Sequence, residues 1–116
     1  MRYDNAIVLH VDDLHGDRNE YILSLSLQLI IENAVKHNCP QRSNMLRIEM
    51  SRQGDMLVIK NNRIYTNCNN DQSVESYGIG ISNLKQRYRQ EGEAEPEFIA
   101  HQDSFEVRLP IIKRKQ

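Results

Sequence analysis

Short runs of alternating apolar and polar residues predict the strands of this protein. The first run, NAIVLHVDD at 5–13, sets Ile7, Leu9 and Val11 against more polar neighbours, which is the period of a half-buried strand. Two β-rich runs, MLRIEMSR and MLVIKNN, meet at Gln53-Gly54-Asp55 and predict a hairpin. Two later runs, EFIAHQ and SFEVRLPII, predict a closing antiparallel pair.

One long helical pattern, ILSLSLQLIIENAVKHN at 22–38, follows the first strand. Turning each residue by about 100° gathers an apolar arc of Leu27, Ile30, Ile31, Ala34 and Val35. The opposite half carries the polar residues Gln28, Glu32, Asn33, Lys36 and His37. Either Ser24 or Ser26 is placed to cap the start of this helix.

The rest of the chain adds a loop and a second helix. Residues 63–80 are rich in Asn and Ser and predict a loop, and GISNLKQRYRQEG predicts a helix directly after it. The order strand, helix, strand, strand, loop, helix, strand, strand predicts an α+β fold. We expect a two-layer sandwich, with a mixed, mostly antiparallel sheet covered on one face by helices.

Composition narrows the class of protein. The 116 residues are enough for one domain, and 15 Lys+Arg against 16 Asp+Glu argue against a general nucleic-acid or membrane-surface binder. Cys39 and Cys68 lie far apart and form no C-x-x-C pair, which predicts reduced thiols in a cytosolic protein. His10, His15 and His101 have no metal-ligand spacing and are interpreted as ordinary histidines.

The polar side of the first helix is the first candidate site. Mg²⁺ prefers oxygen ligands and keeps several waters, so the Asn33 amide could supply one ligand. Lys36 could neutralise a phosphate, and Glu32 could orient a water of the hydrated ion. On spacing alone the plainer interpretation is favoured, because Glu32 and Lys36 also form an ordinary i,i+4 pair on an exposed helix.

Two further candidates follow along the chain. Gly78 and Gly80 stand where the second helix begins, so backbone N–H groups there could approach an anion. Taken alone, the pair is better explained by a tight turn. Asn83, Lys85 and Arg87 follow in the first turns and could contact phosphate, or form a solvated face. The second strand of the hairpin ends in Asn61 and Asn62, which could meet the edge of a base. On their own they are better explained as residues that end the strand and start a turn. In this order, each element could contact a different part of one nucleotide.

The combination resembles the ATP-binding catalytic domain of sensor histidine kinases in the GHKL superfamily, most closely the LytS-like class. LSLQLIIENAVKHN is similar to the N box of that family, and YGIGISNLKQRY is similar to its G2 box. MRYDNAIVLHVDD is similar to the segment that precedes the N box. The resemblance spans nearly the whole chain and implies the Bergerat α/β sandwich.

The resemblance also implies roles for individual residues. Asn33 and Glu32 would hold Mg²⁺, and Asn33, Glu32 and Lys36 would be the catalytic residues. ATP would be bound by Asn33, Lys36, His37, Asn61, Asn62, Gly78, Gly80, Asn83 and Arg87. Residues 63–77 would form the ATP lid. Residues 1–116 would be a single catalytic domain, the cytoplasmic portion of a longer, membrane-anchored sensor, without its dimerisation and phosphoacceptor domain.

One motif departs from the family pattern. The G1 box usually reads D-x-G-x-G, whereas this chain has KNNRI, with Asn61 at the Asp position and neither glycine. An amide oxygen still accepts a hydrogen bond but lacks the charge that strengthens it, so weaker or less adenine-selective binding is expected.

The implied reaction transfers the γ-phosphoryl group of ATP to a histidine on the missing upstream domain. A response regulator would be the partner downstream. A non-catalytic GHKL module that regulates a partner remains an alternative, as does another GHKL ATPase such as an anti-sigma serine kinase.

Overall fold

A computed structural model describes residues 6–12, 16, 19–23, 25–38, 40, 43–64 and 78–113. Most of the predicted lid, from residue 65 to 77, lies outside these ranges, as do Ser24, Cys39 and Cys68. The elements are β1 (Ile7–Val11), β2 (Glu20–Tyr21), α1 (Ser26–Asn38), β3 (Leu46–Gln53), β4 (Met56–Asn62), α2 (Gly78–Gln90), β5 (Glu97–Ala100), β6 (Ser104–Pro110) and β7 (Ile112–Lys113).

Five strands form one mixed sheet in the order β1-β3-β4-β6-β5. Only the β1–β3 pair is parallel, and the other three pairs are antiparallel. The core lies between one face of this sheet and the two helices, where Ile30 of α1 and Leu84 and Tyr88 of α2 pack with Ile59 and Val107 of the central strands. The predicted fold class is therefore confirmed. Within the described ranges, neither helix is long and apolar enough to span a bilayer.

The β3–β4 hairpin forms where the sequence predicts it. Gln53 pairs with Met56, which leaves Gly54 and Asp55 as a two-residue loop. Gly54 has φ +61°, a conformation that costs glycine little because it has no Cβ. Residues 57, 59 and 61 of β4 then face the helices, because side chains alternate along a strand.

The prediction of a half-buried strand over 5–13 is wrong about burial, because its apolar side chains are mostly exposed. β1 is shorter, and Leu9 and Val11 are 51% and 48% exposed although they share a sheet face with the buried Ile48 and Met50. β1 is the edge strand of the sheet, and the helices do not cover it. Alternation predicts which residues share a face, but cannot predict whether another layer reaches that face.

The first helix begins at Ser26, four residues into the helical pattern and between the starts that a Ser24 cap or a Ser26 cap would give. Leu23 is buried in the core, and Leu25 precedes the helix with φ +69°, which ends the helical geometry on that side. The Leu25 carbonyl accepts the first helical bond from Leu29 N–H at 2.9 Å. Ser26, predicted as a possible cap, is instead the first helical residue and is buried.

A second, two-stranded sheet of β2 and β7 was not predicted from the sequence. It is tied to the main sheet by Arg52 of β3, whose two Nη atoms donate to the Glu20 carboxylate at 2.9 and 2.7 Å. Two-residue strands have too few positions to show a period, so only the tertiary contacts define them.

Candidate functional site

A small cavity lies between α1, α2 and the sheet, at the end of the sheet where β4 ends. Its volume is about 10 Å³, which is room for the centre of one water molecule. Apolar side chains from both helices and from β5 and β6 form most of its wall. Among the described residues, two polar side chains also line it, Asn33 and Asn61. Within the described ranges, the lining residues are Leu29, Ile30, Asn33, Ala34, Asn61, Ile81, Phe98, Phe105 and Val107.

Asn33 stands at the boundary between the buried and exposed sides of α1. It is half-buried and lines the cavity, whereas Glu32 and Lys36 are exposed on the adjacent side of the helix. The Glu32 carboxylate accepts a hydrogen bond from Gln28 Nε2 at 3.0 Å, one turn earlier. Amide and carboxylate oxygens are ligands that suit Mg²⁺, which needs few protein ligands when a phosphate supplies the others.

His37 does not lie with Lys36 on the wet side of α1, contrary to the helical arc drawn from the sequence. It is 3% exposed and belongs to the buried stripe of the helix, together with Ser26, Ile30, Ala34 and Asn38. The stripe follows the i, i+4, i+8, i+11, i+12 spacing of a packed helix. It is rotated relative to the predicted apolar arc, because Leu27, Ile31 and Val35 are only partly covered.

The two adjacent asparagines at the end of β4 have different roles. Asn61 is 6% exposed and lines the cavity, and its Nδ2 donates to the Asn62 carbonyl at 2.8 Å. That bond leaves the Asn61 Oδ1 as an acceptor. Asn62 lies on the opposite face of the strand and pins β4 to the start of β3, accepting from Arg47 N–H at 2.6 Å and donating to Met45 O at 3.0 Å. The structure does not bring Asn62 to the cavity.

The glycines lie in the first turn of α2, which begins at Gly78 rather than at Gly80. A Cβ on Gly80 would stand 2.9 Å from Leu29 Cδ1, so this glycine allows α2 to approach α1 closely. Asn83 and Arg87 are exposed on α2 and do not line the cavity. Lys85 Nζ lies 5.8 Å from the centroid of the Phe98 ring, a cation–π distance, on a ring that forms part of the cavity wall.

Several residues of the site were not identified from the sequence. Leu29, Ile81, Phe98 and Phe105 form the apolar walls, and the last two come from strands far along the chain. The helical period would have identified Leu29, because it stands one turn before Asn33. No local signal identifies Phe98 or Phe105 as cavity residues.

In the part of the chain that the structure describes, the titratable groups with shifted pKa values lie away from the cavity lining. Burial raises the pKa of the Tyr88 phenol, whose oxygen accepts from Leu23 N–H at 3.4 Å in the core. On the face of the sheet opposite the helices, the Arg108 guanidinium lowers the pKa of the Glu106 carboxyl, to which Arg108 Nε donates at 2.6 Å. His101 adds to that effect at 3.1 Å. Among the described residues, no cluster of His, Cys, Asp or Glu could hold a metal ion by itself.

Comparison with known proteins assigns a family. The model of the family HATPase_c_4, described as "Putative ATP-dependent DNA helicase recG C-terminal", matches residues 41–109, more than half of the chain. The chain belongs to this family. The matched range covers β3 to β6 and α2, and leaves α1 outside. No curated protein matches this chain.

Among solved structures, this chain is similar to the Acinetobacter baumannii histidine kinase AdeS. The sequences are 17% identical, the TM-score is 0.45, and the match covers 94% of this chain. The chain spans 57% of the length of that kinase chain.

Proposed function

We propose that this domain binds Mg-ATP and is the catalytic domain of a sensor histidine kinase. The observation that carries the proposal is the position of Asn33 and Asn61, two amides from different elements, on one apolar cavity between the helices. Apolar walls with a few convergent polar groups are typical of small-molecule sites. The membership in HATPase_c_4 supports the same class of ligand.

In this proposal Asn61 contacts the base. Its Nδ2 is engaged with the Asn62 carbonyl, so its Oδ1 accepts a hydrogen bond from an exocyclic amino group. Adenine presents such a donor at the corresponding edge, whereas guanine presents a carbonyl oxygen there. Phe98 and Ile81 would cover the faces of the base. Since the acceptor is neutral, the bond is weaker than one to a carboxylate.

Asn33 would supply an oxygen to Mg²⁺, with Glu32 beside it, and Lys36 would approach the phosphates. When bound, Mg²⁺ would neutralise charge on the phosphates during phosphoryl transfer. In that reaction the protein mainly positions the reactants and stabilises the charge of the transition state. The phosphoryl acceptor would be a histidine on a separate dimerisation domain, and a response regulator would then receive the group. We place the domain on the cytoplasmic side of the membrane, where ATP is available.

One observation favours the alternative of a non-catalytic module that regulates a partner. The cavity is too small for a base in the arrangement described, because Leu29 and the start of α2 are in contact. Nucleotide binding therefore requires the start of α2 to move away from Leu29. A domain that cannot make this movement would retain the fold without binding ATP.

The test is thermal unfolding and calorimetric titration with Mg-ATP, with Mg-GTP and Mg²⁺ alone as controls. Ligand at about 100 times its Kd should add roughly 2.7 kcal/mol to the free energy of unfolding. We expect stabilisation by Mg-ATP that exceeds stabilisation by Mg-GTP and is lost in Asn33→Ala. No stabilisation at millimolar Mg-ATP would reject ATP binding and support the non-catalytic module.

Histidine phosphorylation needs a second experiment on the full-length protein. Incubation with γ-labelled ATP should label the protein on a histidine, and the label should be absent in Asn33→Ala. Binding of ATP without labelled histidine would retain the nucleotide site and reject the kinase activity.

A further inference from the structure

The last residue of α1, Asn38, joins two parts of the molecule through its side chain. It is 3% exposed. Its Nδ2 donates to the Ala34 carbonyl at 2.7 Å, and its Oδ1 accepts from the Ile64 N–H at 2.8 Å. Both hydrogen bonds are buried, so water cannot readily replace either partner if a bond is broken.

The two ends of this bridge belong to the two elements that carry the polar residues of the cavity. Asn38 lies on α1, five residues after Asn33. Ile64 follows β4, three residues after Asn61, and is itself 2% exposed in the core. The bridge therefore connects the helix that carries one amide to the segment that carries the other.

The segment that receives the bridge is also held from its other side. Arg63 N–H donates to the Asp103 carbonyl at 2.9 Å, and Arg63 Nη1 donates to the His101 carbonyl at 2.9 Å. These carbonyls belong to the turn between β5 and β6. Residues 63 and 64 are thus fixed to the sheet, and the Asn38 side chain attaches α1 to this fixed point.

We propose that Asn38 is a positioning residue that sets where α1 stands along β4, so that Asn33 and Asn61 contact the same nucleotide. The inference rests on the proposed function. Apolar contacts between α1 and the sheet are non-directional and tolerate sliding, whereas hydrogen bonds are directional. A slip by one residue would move the helix about 1.5 Å and turn it by about 100°, which would carry Asn33 away from the cavity.

This role predicts that the effect of losing Asn38 depends on whether the ligand spans both subsites or occupies only one. Mg-ATP contacts both subsites, the base at Asn61 and the metal and phosphates at Asn33, and so depends on their separation. Adenosine has no phosphate and contacts the base subsite alone. Losing the bridge should therefore weaken Mg-ATP binding more than adenosine binding, whereas general loosening of the fold would weaken both alike.

The experiment measures melting temperature without ligand and the Kd of Mg-ATP and of adenosine for three variants. Asn38→Ala removes both bonds. Asn38→Asp keeps an acceptor for Ile64 N–H but cannot donate to Ala34 O, and it places a negative charge at a helix C-terminus, where charge of that sign is unfavourable. Val58→Ala is the control, because Val58 is 5% exposed on the face of β4 opposite Asn61, so its truncation lowers stability without touching the bridge.

We expect Asn38→Ala to raise the Kd of Mg-ATP about tenfold, the equivalent of one good contact, and to leave the Kd of adenosine within about threefold. Asn38→Asp should lower the melting temperature yet retain most of the Mg-ATP affinity, because it keeps the bond to Ile64. Val58→Ala should lower the melting temperature without changing either Kd.

Three outcomes would overturn the inference. The first is an Asn38→Ala protein that binds Mg-ATP as tightly as the wild type, and the second is equal loss for Mg-ATP and adenosine. The third is an Asn38→Asp protein whose affinity for Mg-ATP falls along with its melting temperature. If Asn38→Ala does not fold, the result for Asn38→Asp decides whether the inference stands. A wild-type protein that binds no Mg-ATP would reject the proposed function and this inference together, whereas the three outcomes above reject the inference alone.

Discussion

The adjacent residues Asn61 and Asn62 provide a sharp test, because the structure gives them opposite tasks. Asn62→Ala removes two hydrogen bonds that pin β4 to the start of β3. Each is worth about 1 kcal/mol, and Asn62 is only half-buried, so the free energy of unfolding should fall by about 1–2 kcal/mol. In a domain of this size, that loss corresponds to roughly 4–8 °C in melting temperature.

Asn61→Ala should cost a similar amount of stability and is therefore the matched variant. It removes the bond from Nδ2 to the Asn62 carbonyl and a side chain that is 6% exposed. It also removes Oδ1, the acceptor that the proposed base contact needs, from a residue that lines the cavity. The Kd for Mg-ATP should rise by about 3–10-fold in Asn61→Ala, the effect of one neutral hydrogen bond, and should stay at the wild-type value in Asn62→Ala.

Two measurements on each variant separate these effects: urea unfolding without nucleotide for stability, and calorimetric titration with Mg-ATP for affinity. Titrations are made well below the melting temperature, so that both variants are folded. The assignment of the base contact to Asn61 would be refuted by an Asn61→Ala protein with unchanged affinity. It would equally be refuted if Asn62→Ala weakened binding as much as Asn61→Ala does.

Three other predictions follow from the rest of the fold. Glu20→Gln breaks the partly buried Arg52–Glu20 ion pair and should lower the free energy of unfolding by about 2 kcal/mol, as measured by urea unfolding. This value lies between those of exposed and buried ion pairs. The pKa of Glu106 is lower in the folded state, so its stabilising contribution is complete above the unfolded pKa of about 4.3 and is lost as the pH falls through the folded value. In Arg108→Gln, the decrease in unfolding free energy between pH 5 and 3 should therefore be smaller. Gly54→Ala should cost about 1 kcal/mol in urea unfolding, because φ +61° is unfavourable for a residue with a Cβ.

Each of these has a control. For the ion pair, a double variant with Arg52→Met should cost less than the sum of the two single changes, and strict additivity would contradict a direct interaction. For the carboxyl, an unchanged pH dependence in Arg108→Gln would show that Arg108 does not set the pKa of Glu106. For the turn, Asp55→Ala changes the other loop residue, which has no positive φ, and should cost less than Gly54→Ala.

The sequence by itself determined the order of the main elements, the hairpin and the fold class. These features depend on local periods: alternation in MLRIEMSR and MLVIKNN, a 3.6-residue repeat in the first helix, and Gly54 between two strands. The polar side chains of the first helix also stand out in the sequence, because a carboxylate, an amide and a lysine interrupt an apolar pattern.

Only the tertiary structure decided which of these residues belong together. Asn61 and Asn62 are indistinguishable in sequence, but the pleat turns one into the cavity and the other toward β3. His37 and Lys36 likewise separate, because packing sets the buried stripe of α1. The bridge from Asn38 to Ile64 joins residues 26 positions apart. No local period encodes such contacts, since they arise when helix and sheet are brought together by burial of their apolar faces.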